Sequence, residues 1–264
     1  RVDRRLLRTP LTVGGRRVVS RRSEWSIGIA AGAHLDTLAS PFPDLNPVLT
    51  RRDVTDVPAA FVADPFMVRH RGRWWMYFEV LNTRRHAGEI GLASSTDLLA
   101  WHYEGIVLRE PWHLSYPFVF AHAGEHWLVP ESEARGRIEL YRAAAFPRRW
   151  VHEATILEGA PFADATLWEA GGTWHLIAGA GGSATLRAFT APDLLGPWTE
   201  LPSSPVIDGD SRIARPGGRV VEVAPGRWRR FAQDAIERYG GGLEAFDLPV
   251  PLGPDGVRGD PAGR

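Results

Sequence analysis

Acidic side chains recur at corresponding positions of a repeated segment, and carboxyl groups gathered in one place could carry out acid–base chemistry. The repeat is anchored at Asp64, Tyr116, Asp164 and Arg215, which lie 52, 48 and 51 residues apart. A glycine follows each of the first three anchors by eight residues, so each segment reads as a β-hairpin with its turn near that glycine. The residue 15 positions after such an anchor then faces it across the two strands.

This hairpin arithmetic predicts which side chains meet. The predicted facing pairs are Asp64 with Glu79, Tyr116 with Glu131, Asp164 with Gly179, and Arg215 with Gln233, beside which lies Asp234. If the repeats surround a common axis, their equivalent ends open on one mouth. We therefore expect these polar side chains to converge in a single funnel.

The period of the repeat indicates the fold, because repeats of about 50 residues built from short strands are typical of β-propellers. Each copy supplies a hairpin and a third strand, such as Gly88–Ser95. Residues from about 25 to 49 are expected to supply one further blade. We predict an all-β, five-bladed β-propeller that occupies residues 1–264 as one domain. The arginine-rich start, to about residue 23, and the Pro/Gly-rich tail, from about residue 249, are expected to be peripheral.

Paired carboxyl groups around a concave pocket suit chemistry at a glycosidic bond. One acid protonates the departing oxygen, while a second carboxylate deprotonates the nucleophile or attacks the anomeric carbon. Asp64, together with Glu131 or Asp164, would meet this requirement. A structural role for Asp64 stays open, since an aspartate before a proline also commonly caps a turn or pairs with an arginine.

Other polar residues near the mouth are candidates for binding a substrate: Glu79, His113, Tyr116, Arg215, Gln233 and Asp234. His113 could contact a phosphate or a ring hydroxyl, or it could form a hydrogen bond between blades. Arg215 could bind an anion or a hydroxyl, or it could neutralise a carboxylate. None of the nine histidines has a spacing typical of metal ligands, so we predict neither a metal nor another cofactor.

The composition excludes several classes of function. All 31 basic residues are arginine and there is no cysteine, so Schiff-base and P-loop lysines, thiol nucleophiles and cysteine-bound metals are excluded. The formal net charge is zero, which gives no overall attraction to nucleic acid. We expect no transmembrane segment, because no apolar stretch is long enough. The chain begins with Arg1, so the compartment is left open, with the cytoplasm slightly favoured, and fusion to another biosynthetic domain is possible.

The sequence resembles two related groups of proteins. The Ala63–Phe66 segment resembles the first blade of family-43 glycoside hydrolases, in which the equivalent aspartate is the general base. A closer resemblance is to the N-terminal domain of glucosamine inositolphosphorylceramide transferases and their bacterial relatives, from about Trp25 to Leu248. The segments that carry it are Trp112–Phe120, Pro130–Ser132, Leu140–Ala143, Gly196–Trp198 and Gln233–Asp234.

Two differences from the hydrolases affect what the resemblance implies. Family-43 hydrolases have another aspartate at the second anchor, where this chain has Tyr116. They also have a glutamate acid in the third blade, where this chain has Asp164 as its anchor. The resemblance therefore implies a carbohydrate-related function more firmly than it implies hydrolysis.

Three hypotheses for the function follow. The leading one is glycosyl transfer in the biosynthesis of a glycolipid, glycan or glycosylated metabolite, with a sugar, nucleotide sugar or glycan as substrate. Asp64 would then activate an acceptor hydroxyl, while Glu131 or Asp164 assists the leaving group. The alternatives are a glycoside hydrolase with a rearranged acid and a sugar-binding module without catalysis.

Overall fold

The structure of the protein is a computed structural model that describes residues 11–13, 16–18, 25–32, 38–39, 43–236, 241–249, 252 and 260–261. The arginine-rich start up to residue 23 lies outside the described residues apart from one short hairpin, formed by β1 (Leu11–Val13) and β2 (Arg16–Val18). Within the described residues, the helices are single 3-10 turns, at Pro43–Leu45 and Glu133–Arg135. None of them is long and apolar enough to cross a membrane.

Four antiparallel four-stranded sheets follow one another along the chain, and we call them blades one to four. Blade one contains β3 (Ala59–His70), β4 (Arg73–Asn82), β5 (Ala87–Ser95) and β6 (His102–Leu108). Blade two contains β7 (Ser115–His122), β8 (Glu125–Glu131), β9 (Arg137–Ala145) and β10 (Arg149–Glu158). Blade three contains β11 (Phe162–Ala170), β12 (Thr173–Ala180), β13 (Leu186–Ala191) and β14 (Thr199–Glu200). Blade four contains β15 (Val221–Ala224), β16 (Arg227–Asp234), β17 (Gly242–Pro249) and β18 (Asp260–Pro261).

This architecture confirms the predicted all-β propeller. The predicted fifth blade stays a prediction, because residues 25–49 form isolated bridges, Ile27 with Leu49 and Ala31 with Ala39, in the part of the chain that is described. Strands β17 and β18 reach into the tail that was expected to be peripheral, and they pair with each other.

The first three hairpins share one kind of turn, which explains the recurring glycine. In blade one, His70 pairs with Arg73, and the two residues between them have φ values of 49° and 78°. Positive φ at both central residues defines the two-residue type I′ turn, whose twist matches that of the strands. The same pattern occurs at Ala123–Gly124 and Gly171–Gly172. Glycine at the second position adopts this φ at little cost.

The first strands of blades one and two are linked by a partly buried arginine. Arg219, just before β15, donates hydrogen bonds to the carbonyl oxygens of Met67 in β3 and Val119 in β7. Its guanidinium also lies over the rings of Phe66 and Phe118, 5.5 and 5.0 Å from their centroids. Burial lowers the pKa of Arg219 to about 10, so the side chain stays charged at neutral pH and joins three blades.

We expect Arg219→Ala to lower the free energy of unfolding by about 3 kcal/mol or more, since it leaves buried carbonyl groups unsatisfied and opens a cavity. Arg137→Ala is the matched control, because Arg137 forms an exposed pair with Glu158 at 3.5 Å and should change stability by about 0.5 kcal/mol at most. Urea denaturation measures both variants. Equal, small effects would contradict a structural role for Arg219.

Candidate active site

A β-bulge interrupts the first hairpin of each of blades one to three at its anchor residue. Asp64, Tyr116 and Asp164 have φ values of 51°, 41° and 53°, a left-handed conformation that is uncommon for residues other than glycine. In blade one, Ala63 pairs with Glu79 and the next pair is Phe66 with Tyr77. Two residues of β3 therefore lie opposite one residue of β4.

The predicted direct pairing of anchors is consequently wrong by one residue in these three blades. The residue before each anchor pairs instead, and these pairs are Ala63 with Glu79, Ser115 with Glu131, and Ala163 with Gly179. The physical reason is the extra residue that the bulge inserts, which turns the anchor side chain out of the normal alternation. In blade four, where the backbone N–H of Gln233 donates to the carbonyl of Arg215 at 2.9 Å, the expected alignment is present.

Arg215 links two carboxyl groups from different blades. Its Nε atom lies 2.5 Å from Oδ2 of Asp164, and its terminal nitrogen lies 3.3 Å from Oε2 of Glu131. Gln233 donates to the same Oδ2 of Asp164 at 2.8 Å, so two side chains hold this carboxyl group in place.

Glu131 keeps a proton more readily than an ordinary glutamate. Burial, the charge of Asp164 and a hydrogen bond with the carboxyl group of Asp164 raise the pKa of Glu131 well above its usual value. Arg215 opposes this shift without cancelling it. The surroundings of this pair thus favour the protonated form of Glu131, which is the form that can donate a proton.

Asp64 is the third carboxyl group at the mouth. It is partly exposed, but the surrounding protein and the charges of Glu79 and Asp164 raise its pKa to about 8. Arg215 and the backbone N–H of Tyr116 lower this value only in part. Asp64 therefore exchanges its proton near neutral pH, which suits a general base or acid.

Tyr116 forms the floor beneath the carboxyl groups. Its hydroxyl accepts a hydrogen bond from the backbone N–H of Gly218 at 2.8 Å and lies 3.0 Å from Oγ1 of Thr166. Burial raises the pKa of the Tyr116 phenol above its usual value, and the charge of Asp164 adds to the shift. The phenol therefore stays neutral and joins the first strands of blades two and three to the segment that precedes β15 of blade four.

Glu79 and His113 form a second polar pair at the mouth. The Nδ1 atom of His113 accepts a hydrogen bond from the backbone N–H of Gly88 at 2.9 Å. Since Nδ1 is the acceptor, Nε2 carries the ring proton and points it toward Oε1 of Glu79, 3.3 Å away. This contact matches the interblade hydrogen bond that was one of the two readings of His113.

The structure brings together eight of the nine residues that the sequence singled out: Asp64, Glu79, His113, Tyr116, Glu131, Asp164, Arg215 and Gln233. Asp234 differs, because its carboxylate accepts the backbone N–H of Ile236 at 3.0 Å and so stabilises the next turn. Sequence reasoning missed Thr166 and Gly218, which hold the Tyr116 hydroxyl. Their position two or three residues after an anchor was the one signal available.

The described residues include no group of three or more histidine, aspartate or glutamate side chains arranged to hold a metal ion. The chemistry that the site itself offers is proton transfer between carboxyl groups, with Arg215 and Gln233 as hydrogen-bond donors.

Several solved glycoside hydrolases have a similar fold. A thermostable family-43 glycoside hydrolase superposes with a TM-score of 0.59 and 13% identity, covering 76% of this chain and 75% of that one. The exo-β-1,3-galactanase of Phanerochaete chrysosporium, solved with galactose, superposes with a TM-score of 0.58 and 14% identity. The match covers 72% of this chain and 46% of the galactanase. A family-117 glycoside hydrolase produced by Zobellia galactanivorans superposes with a TM-score of 0.56 and 17% identity. The match covers 84% of this chain and 71% of the hydrolase. At these identities the likeness establishes the propeller fold alone.

The sequence family is more specific. Residues 25–252 match the family described as glucosamine inositolphosphorylceramide transferase 1, N-terminal. The chain belongs to this family, as the resemblance implied. It is 35% identical to glucosamine inositolphosphorylceramide transferase 1 of Oryza sativa subsp. japonica over 220 residues, which are 80% of this chain and 29% of the relative. The Arabidopsis thaliana relative, glucosamine inositolphosphorylceramide transferase 1, is 35% identical over 248 residues, which are 86% of this chain and 32% of the relative. The chain thus spans about a third of the length of these relatives.

Gly88 allows two blades to approach closely at the mouth. A methyl group there would lie 2.1 Å from the carbonyl oxygen of Leu114 and 2.9 Å from Oε1 of Glu79. We expect Gly88→Ala to destabilise the fold by about 2 kcal/mol or more. Gly179→Ala is the control, because a methyl group there would meet its nearest neighbour at 3.5 Å. Thermal and urea unfolding of both variants test this, and similar melting temperatures would contradict it.

Asp64 should also weaken the fold at alkaline pH. Its pKa rises from 3.8 to about 8 on folding, so the folded protein binds the proton more tightly. The stability that depends on this proton is then lost as the pH rises from about 4 to 8. Asp64→Asn should therefore exceed the wild type in unfolding free energy by about 1 kcal/mol or more at pH 9, with a smaller difference at pH 5. Parallel stability curves for the two proteins across this range would contradict the shift.

Proposed function

We propose that this domain catalyses glycosyl transfer in the biosynthesis of a glycolipid, glycan or glycosylated metabolite. The substrate would be a sugar, a nucleotide sugar or a glycan, bound at the mouth that carries Asp64. The observation that carries the proposal is the convergence of Asp64, Glu131 and Asp164 around Arg215, where the pKa values of Asp64 and Glu131 are raised above those of ordinary carboxyl groups.

Each carboxyl group has a separate role in the proposal. Asp64 is the base that takes the proton of the acceptor hydroxyl, and its pKa of about 8 makes it a stronger base than an ordinary aspartate. Glu131 donates its proton to the leaving oxygen. Asp164 orients Glu131 and stabilises positive charge that develops on the sugar ring.

The remaining polar residues bind the substrate. Glu79 and His113 would contact sugar hydroxyl groups, since both project from blade one and its connection to blade two toward the mouth. Arg215 and Gln233 would keep Asp164 in place, and Tyr116 would close the floor. The names of the plant relatives, which describe a transferase, support transfer over the alternatives.

Two alternatives rest on particular observations. The propeller fold shared with glycoside hydrolases favours hydrolysis with a rearranged acid. The contacts of Arg215 with both Asp164 and Glu131 favour a sugar-binding module, because a guanidinium that holds two carboxylates leaves fewer of them available for proton transfer. Both alternatives place a sugar at the same mouth.

We also propose that the residues before β3 complete a fifth blade and that residues 1–264 form one domain. Ile27, Leu49 and Val54 are buried in one apolar cluster with Val62 of β3 and other residues of blade one. The backbone N–H of Val62 donates to the carbonyl of Trp25 at 3.5 Å. These contacts support a blade packed beside blade one.

The test of function is product detection by mass spectrometry after incubation with pooled nucleotide sugars, with and without acceptor alcohols and glycans. We expect the wild type to form a new glycoside and Asp64→Asn to lose about 1,000-fold or more in rate. Asp193→Asn should retain activity, because Asp193 lies in an exposed turn of blade three where its carboxylate accepts a backbone N–H of Leu195.

The rate should also depend on pH. For the wild type, kcat/KM should increase as the pH rises toward about 8, because Asp64 can accept a proton only after losing its own. Free sugar formed without an acceptor would establish hydrolysis instead. Saturable sugar binding without product would establish the binding module. Unchanged turnover in Asp64→Asn would contradict the assignment of the base.

A further inference from the structure

One arginine at the mouth is held in place by an aromatic ring. The guanidinium of Arg135 lies over the indole ring of Trp112, 4.5 Å from the ring centroid. Trp112 belongs to the connection between β6 and β7, and Arg135 ends the 3-10 helix Glu133–Arg135 between β8 and β9. The contact therefore joins two loops of neighbouring blades.

Both loops lead directly into the candidate active site. His113 follows Trp112 in the chain and contacts Glu79, while Glu131 lies just before the helix that carries Arg135. Because one loop ends beside His113 and the other begins after Glu131, the stacked pair lies on the side of the propeller where the mouth opens.

Arg135 differs from its neighbouring arginines in its partners. Arg85 and Arg109 both form ion pairs with the buried Glu89, at 3.2 and 2.7 Å, and Arg137 pairs with Glu158 at 3.5 Å. Among the residues that the structure describes, no carboxylate lies within ion-pair distance of Arg135, and its side chain is exposed. Stacking on an indole restricts the guanidinium without using its hydrogen-bond donors.

An exposed guanidinium that is already oriented is suited to a phosphate group, which it can bind with two parallel hydrogen bonds. The funnel below it is acidic, with Asp64, Glu79 and Asp164 close together, and Glu133 also acts on Glu131. An anionic group would be repelled by these carboxyl groups, whereas a neutral sugar ring would not be. A substrate carrying both groups would place the sugar in the funnel and the phosphate at the rim.

We propose that Arg135, held by Trp112, is a binding site for a phosphate group on the substrate of this mouth. The inference rests on the proposed glycosyl transfer and narrows its substrates to those that carry a phosphate. The phosphate belongs either to a nucleoside diphosphate sugar donor or to a phosphorylated acceptor.

Isothermal titration calorimetry with inorganic pyrophosphate tests the site without requiring turnover. We expect Arg135→Gln to weaken binding about tenfold or more, as loss of a charged hydrogen-bond donor should. Trp112→Leu should weaken binding about threefold, since Arg135 remains but is no longer stacked. Arg137→Gln is the matched control and should bind within about twofold of the wild type, because removal of a surface charge has a small effect.

Titrations with uridine diphosphate and glycerol 3-phosphate distinguish the two sources of the phosphate. If uridine diphosphate binds more tightly and its binding depends on Arg135, the site belongs to the donor. If glycerol 3-phosphate binds more tightly and depends on Arg135, the site belongs to the acceptor. No binding of any of the three probes to the wild type, or equal affinities for wild type and Arg135→Gln, would overturn the proposal.

Asp64→Asn separates this inference from the proposed function. It should bind pyrophosphate as the wild type does while losing turnover. Arg135-dependent binding in a wild type that transfers no sugar would overturn the catalytic proposal and support the phosphate site. Transfer by the wild type without Arg135-dependent binding would overturn the phosphate site alone.

Discussion

The candidate site depends on an imbalance of charge, since one guanidinium lies among four carboxyl groups. Arg215 contacts Asp164 and Glu131 directly, and it acts on Asp64 more weakly than burial and the neighbouring carboxylates do. One positive charge does not offset burial and the mutual repulsion of these groups, so the pKa values of Asp64 and Glu131 are raised. The acid–base character of the mouth follows from this imbalance, and so does the stability cost of assembling it.

The rest of the propeller holds these mutually repelling groups together. Three bulges with positive φ at Asp64, Tyr116 and Asp164 direct the anchors toward one another, and each costs about 1 kcal/mol or more for a residue other than glycine. Beneath them, Tyr116 is bound to Gly218, and the adjacent Arg219 joins β3 and β7 through their carbonyl groups. Strain and buried polar contacts at equivalent positions of successive blades are typical of a functional site rather than of a core selected only for stability.

The sequence predicted the repeat, the turns and the convergence of most site residues, because glycine spacing and strand alternation report on local geometry. It did not predict the bulges at Asp64, Tyr116 and Asp164, since the left-handed conformation is uncommon for tyrosine and only a minority conformation even for aspartate. Asp234 was misplaced for a related reason: position beside Gln233 does not show that its carboxylate stabilises the following turn. Arg219 and the Trp112–Arg135 contact depend on contacts between blades, which no local pattern encodes. Family membership was predictable from short segments, whereas the number of blades was not established.

The central claim is that the fold keeps a proton on Asp64 near neutral pH, and NMR titration of side-chain carboxyl carbons measures this directly. Spectra of carbon-13-labelled wild type and Asp64→Asn, recorded from pH 4 to 10, would identify the Asp64 resonance by its absence from the variant. We predict that this resonance titrates with an apparent midpoint of about 8, as part of a coupled cluster with Glu131. A midpoint near 4, the ordinary value for aspartate, would show that the mouth does not retain this proton and would contradict the proposed role of Asp64.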